Sequence, residues 1–265
     1  MTRWLKIARA EFLRDITTAL RYPVELFTGV FILYILFMGL YTGARMLAGR
    51  QVLQGDMDAL IIGYTMWFFA VLAINTMSTD IESEARQGTL EQVCLHAPNY
   101  LGLLWVRAVI QLAMGAGMVV FLSVLIQLTT RHFLHITWSM VPALIIVVAL
   151  SVIELCGVGL ILGGLSLLFK RIGQLSSVVQ FGLFFLAYTQ VNTLPGSWPQ
   201  VLSHLPLVRG VALLRHLCTP GGSTTQATGD LLLLLLDTVA YAAVGSLAFA
   251  LAERAARRAG TLSHY

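Results

Sequence analysis

Six long apolar runs constrain this chain more than any other feature, at roughly Val24 to Leu47, Leu60 to Thr79, Leu101 to Gln127, Met140 to Phe169, Leu175 to Val191 and Leu231 to Leu251. Each is near or above the ~20 residues that a helix needs to cross a hydrocarbon core about 30 Å thick. With 57% hydrophobic and 11% charged residues over 265 positions, too little polar surface remains to cover a water-soluble globule. Helices are the expected form of every run, because an isolated strand cannot satisfy its backbone in lipid. The sequence therefore predicts one all-α integral membrane domain, 1–265, with six spans. The third and fourth runs exceed the minimum length and imply tilt or an interfacial extension.

Orientation follows from the basic residues. A cytoplasmic amino terminus puts twelve of the 17 Lys and Arg on the inner side and leaves Arg45, Arg50, Arg131, Arg209 and Arg215 outside. Both termini are then expected in the cytoplasm, and the formal net charge of +4 reflects topology and inner-leaflet contact. No role for nucleic acid is needed. In the first 22 residues, Trp4, Leu5, Ala8, Phe12, Ile16 and Leu20 recur at helical spacing, with Arg3, Lys6, Arg9, Glu11 and Arg14 mostly on other faces. That pattern predicts an amphipathic interfacial helix ahead of Pro23. It lacks the apolar core and cleavage site of a secretory signal.

Asp80 to Pro98, DIESEARQGTLEQVCLHAP, concentrates three glutamates and an arginine in a chain poor in charge. Asp80 is placed to cap a first short helix that carries Glu82 and Glu84 in its early turns, and Gly88 to end it. Thr89-Leu90-Glu91-Gln92 then reads as a capping box that opens a second helix. Such an element is either a solvated hairpin turn or a surface for docking.

The order Glu84-Ala85-Arg86-Gln87-Gly88-Thr89-Leu90-Glu91-Gln92, followed by Pro98 and Arg107, resembles the cytoplasmic coupling segment of ABC-type-2 permeases, the membrane subunits of ATP-driven exporters. A second stretch, Leu205-Pro206-Leu207-Val208-Arg209-Gly210-Val211-Ala212-Leu213-Leu214-Arg215, is similar to the segment that precedes the last span in that family. With the span count, the resemblance covers the whole chain. It departs at Ala187 and Tyr188, where the family often has Ser-Gly. The resemblance implies a permease of the cell (inner) membrane whose coupling residues are Glu82, Glu84, Arg86, Gly88, Thr89 and Glu91. It also implies separate P-loop ATPase subunits that carry the ATP and Mg, and a second permease subunit completing the path.

Within the chain itself, no G-x-x-x-x-G-K-[ST] phosphate loop and no G-x-S-x-G elbow occurs, and neither Lys6 nor Lys170 follows a glycine. No cofactor is expected on this polypeptide. Cys94, Cys156 and Cys218 lack metal-binding spacing, and the six histidines are scattered, so structural or bystander roles are expected for them.

Glu154 and Asp237 fall inside apolar runs, where a carboxylate is costly and must face protein or water. Three readings follow for Glu154: a polar lining of a transport path with Asn75 and Gln180, a proton relay in an ion-coupled secondary transporter, or a structural hydrogen bond to Asn75, Gln111 or Gln180. Gly39 with Gly43, and Gly159 with Gly163, form G-x-x-x-G pairs that let helices approach closely, inside one chain or between subunits. The segment 192–229 holds Pro195, Pro199, Pro206 and Pro220 around an apolar run, Val208 to Leu217, too short to span. A re-entrant or interfacial outer helix is expected there. Aromatic and aliphatic residues dominate the spans, which suits export of a hydrophobic or amphipathic small molecule or lipid. ATP-driven ion export and a non-transporting assembly factor are the remaining alternatives.

Overall fold

The computed structural model describes residues 2–86, 99–134, 136–169, 172–189, 195–219 and 228–258, and the side chains of all of these except 2–4, 25–26, 47–56 and 85–86. It is all-helical, with no strand among the described residues. The helices are α1 (Thr2–Arg21), α2 (Pro23–Ile74), α3 (Asp80–Arg86), α4 (Tyr100–Thr130), α5 (Val141–Phe169), α6 (Gly173–Tyr188), α7 (Trp198–Ser203), α8 (Val208–Cys218) and α9 (Thr228–Arg258).

Pro23 at the start of α2 costs nothing, since the first N–H of a helix has no internal acceptor. Helical backbone then runs for 52 residues, through the region where the sequence suggests an outer loop. The helix nonetheless folds back on itself. The Tyr64 hydroxyl donates to the Leu33 carbonyl at 2.6 Å, and the Tyr64 ring meets Phe37 edge-on at 5.1 Å. In a straight helix Leu33 and Tyr64 would lie about 46 Å apart. Two antiparallel apolar stretches result, Phe27–Met46 and Met57–Glu84. The second runs on through a π-helical turn, Asn75–Thr79, into α3 without a break.

Among the described residues, these two stretches, α4, Trp138–Phe169 and α9 are five helices that are long and apolar enough to cross a membrane. The protein is thus a multi-pass membrane protein in its helical inventory. The fifth run of the sequence forms α6, whose 16 residues fall short of a full crossing. In the most apolar 18-residue stretch of Met57–Glu84, 72% of residues are buried, which puts this span at the centre of the bundle, whereas the corresponding shares for Phe27–Met46, α4 and α9 are 11%, 22% and 17%. Their outer faces present Phe31, Ile35, Val120, Leu236 and Leu247, an apolar lateral surface far larger than a water-soluble protein tolerates.

Glycines set the closest helix approaches. A Cβ on Gly157 of α5 would overlap the Tyr241 carbonyl of α9, and one on Gly245 would overlap the Gly157 carbonyl. Gly159 leaves room for the Met77 side chain, to which an added Cβ would come within 2.8 Å, and Gly163 leaves room for the Met77 carbonyl. By contrast, a Cβ on Gly39 or Gly43 would meet nothing within 4 Å among the described residues. Of the two G-x-x-x-G pairs, only Gly159 and Gly163 serve packing within the chain.

The short helix expected before the last span is present as α8, packed into the bundle. Val208, Val211, Leu213, Leu214 and Leu217 are all buried, and Gly210 lies directly against Ser151 of α5.

Candidate functional site

One polar cluster joins α1, α3 and α4 at one end of the bundle. Asn99 caps α4 by accepting the Gly102 N–H at 3.4 Å, which fixes the start of that helix and places Arg107 two turns in. Only 7% of the Arg107 side chain is exposed, so its charge requires partners. Its Nε donates to Glu11 Oε1 of α1 at 2.9 Å, and its Nη1 pairs with Glu84 Oε1 of α3. Tyr100 Oη donates to Glu84 Oε2 at 3.3 Å. Glu11 in turn pairs with Arg14 at 3.0 Å, and Arg14 with Asp15 at 3.2 Å. One guanidinium therefore bridges three helices.

Asp80 does not cap a helix. Because the second apolar stretch continues through the π turn into α3, the Asp80 N–H already bonds to the Asn75 carbonyl, and no free helix start exists there. Its carboxylate instead accepts from Gln111 Nε2 of α4 at 2.9 Å. Glu82 is buried too, with its carboxylate beside Gly173 at the start of α6. The acidic residues at the start of the polar segment thus turn toward the bundle. The Arg86 side chain, Gly88, Thr89 and Glu91 lie outside the described residues, as does the expected capping box.

Asn75 and Gln180 come together: Gln180 Nε2 donates to Asn75 Oδ1 at 2.8 Å. Thr79 also approaches Asn75 Oδ1, at 3.4 Å, and Trp67 Nε1 donates to the Gln180 carbonyl at 2.9 Å. Asn75 is exposed, at the first position of the π turn.

Glu154 is not joined to that pair. It is 2% exposed and accepts the Leu207 backbone N–H at 3.4 Å. Leu207 has φ +77°, a left-handed conformation that a branched aliphatic residue adopts only under constraint, and it leads directly into α8. Asp237 is bound by Arg209 Nε at 3.0 Å and by His204 Nδ1 at 2.8 Å. Arg209 also reaches Ser203 Oγ at 3.3 Å and Asp230 at 3.6 Å. Among the described residues, the partners of both carboxylates thus come from the segment between α6 and α9, not from Asn75, Gln111 or Gln180. His132 likewise pairs with Asp58 at 2.7 Å, so two of the six histidines are structural partners of carboxylates.

Three residues central to these clusters escape sequence reasoning: Glu11, Arg107 as a hub, and Arg209 as the partner of Asp237. A lone arginine at the edge of an apolar run was the available signal, since its burial demands a carboxylate. Comparison with protein-family models and with characterised proteins finds no match for this chain.

Proposed function

We propose that this chain is the permease subunit of an ATP-driven exporter, with α6 as the fifth of six membrane crossings and both termini cytoplasmic in the inner membrane. A second, identical subunit completes the path, and separate P-loop ATPase subunits bind ATP and Mg. The observation that carries this reading is the Arg107 bridge between Glu84 and Glu11. A segment that receives motion from an ATPase must be tied to the spans. Here α3 is continuous with a central span and ion-paired to α4 and α1. α1, with Leu5, Phe12 and Leu20 exposed and Glu11 turned inward, suits a helix lying in the headgroup plane.

The remaining coupling residues, Arg86, Gly88, Thr89 and Glu91, are assigned on the resemblance of the segment. The exposed Asn75–Gln180 pair suits the polar element of a path that carries a hydrophobic or amphipathic small molecule or lipid. The buried Glu154 acts as a clamp on the entry to α8. The test is affinity purification of the full chain from its native membrane. Recovery of a P-loop ATPase, lost in a Glu84→Lys, Glu91→Lys variant that still inserts, supports the reading. Transport by the chain alone that collapses with a proton uncoupler overturns it.

A further inference from the structure

A lateral groove of about 690 Å³ lies between α2, α4 and α5, with Leu134 and residues of α8 at one end. Met66, Phe69, Leu112, Val119, Val148 and Val152 form much of its wall. Of the polar side chains that line it, Thr65, Ser123 and Gln127 are already engaged with one another or with backbone, and the others are the Trp105 indole and the Cys156 and Cys218 thiols. Thr65 donates to the Ile61 carbonyl at 2.7 Å, and Gln127 donates to Ser123 Oγ at 3.2 Å. The Gln127 carbonyl oxygen accepts the Leu134 N–H at 3.0 Å. Water gains too few hydrogen bonds in such a space to fill it. The groove extends from Trp105 to Gln127 of α4, about 33 Å of helix, which matches the thickness of a hydrocarbon core. Its occupant is therefore hydrocarbon aligned with the spans.

The end of the groove identifies the other part of that occupant. Arg131 follows Gln127 by one turn and ends α4 in the left-handed conformation, φ +54°. It is exposed, and among the described residues its side chain has neither an ion pair nor a hydrogen bond. The neighbouring His132 is already taken by Asp58. An exposed guanidinium one turn beyond Gln127, which lines the groove, complements a phosphate linked to acyl chains. We propose that this groove is a specific binding site for one anionic phospholipid, with its acyl chains against α2, α4 and α5 and its phosphate on Arg131.

The proposal does not depend on the permease reading, because lipid binding is read without an ATPase or transport. The full chain, purified in mild detergent with added palmitoyl-oleoyl phosphatidylglycerol or phosphatidylcholine, is examined by native mass spectrometry. The wild type should retain one phosphatidylglycerol. Ala116→Phe and Ala149→Phe, which fill the groove, should lose it at an unchanged thermal midpoint. Arg131→Asn keeps a residue tolerant of the left-handed backbone and should lower the preference for phosphatidylglycerol about tenfold. Equal retention by wild type and groove-filled variants overturns the proposal, as does an unchanged lipid preference in Arg131→Asn. So does efficient disulfide dimerisation of Val120→Cys in membranes, which would show that a second copy covers the groove.

Discussion

At the scale of single residues, the buried charges are the positions where one substitution has the largest effect. Arg107→Leu removes the buried cation that joins Glu84 to Glu11, with Arg14 still on Glu11, and should destabilise the chain by about 3–5 kcal/mol. Adding Glu84→Gln and Glu11→Gln to that variant should recover part of the loss, measurable as thermal midpoints in detergent. Glu154 gives a sharper contrast. Glu154→Leu strands the Leu207 N–H and should cost about 1–3 kcal/mol, whereas Glu154→Gln keeps an acceptor and should cost much less. If Glu154 is only a clamp, Glu154→Gln should also leave transport intact, and a stable variant with no transport would assign it to the path. These pairings explain why the sequence revealed charges but not partners. Glu11 and Arg107 are 96 positions apart, and Arg209 and Asp237 are 28 apart. No local periodicity links such residues, so burial in three dimensions decides which carboxylate meets which guanidinium.

Elements were more legible, because a span announces itself by composition over some twenty consecutive residues. α1, α4, α5, α8 and α9 lie close to the runs that predict them. The misreadings have a local cause. Asp80 followed by Glu82 has the composition of a helix start, yet helical hydrogen bonding from Asn75 onward satisfies that N–H first. The reversal within α2 contains no proline, and its backbone stays helical where a loop was expected. G-x-x-x-G spacing is equally ambiguous from sequence, since it gives no sign of which neighbour fills the groove. The two pairs should behave differently on substitution. Gly157→Val, Gly245→Val or Gly163→Val forces side-chain atoms into a backbone carbonyl and should cost at least about 1–3 kcal/mol. Gly39→Val and Gly43→Val meet open space and should leave the thermal midpoint of the isolated chain unchanged. A drop at Gly39 only in the assembled complex would mark that face as a subunit contact.

For the whole molecule, the arrangement of spans makes a prediction about sidedness. Single cysteines replacing Ser83 and Thr261 should react with an impermeant maleimide only from the cytoplasmic side, and those replacing Gln51 and Ser223 only from outside. The reverse pattern would detach the polar segment from any cytoplasmic ATPase. The central span has a mechanical consequence of its own. Met57–Glu84 is 28 residues of unbroken helix, about 42 Å, with its only irregularity in the π turn at Asn75–Thr79. A rod of that kind does not absorb a push at its acidic end as a loop would; it transmits the push as rotation or tilt. A π turn holds one more residue than an α turn, so removing one residue from it should leave Glu84 facing Arg107. Inserting one residue between that turn and Glu84, at about 100° of rotation per residue, should instead twist the acidic end out of phase with the rest. Glu84 would then point away from Arg107, and the rod would turn without dragging its neighbours.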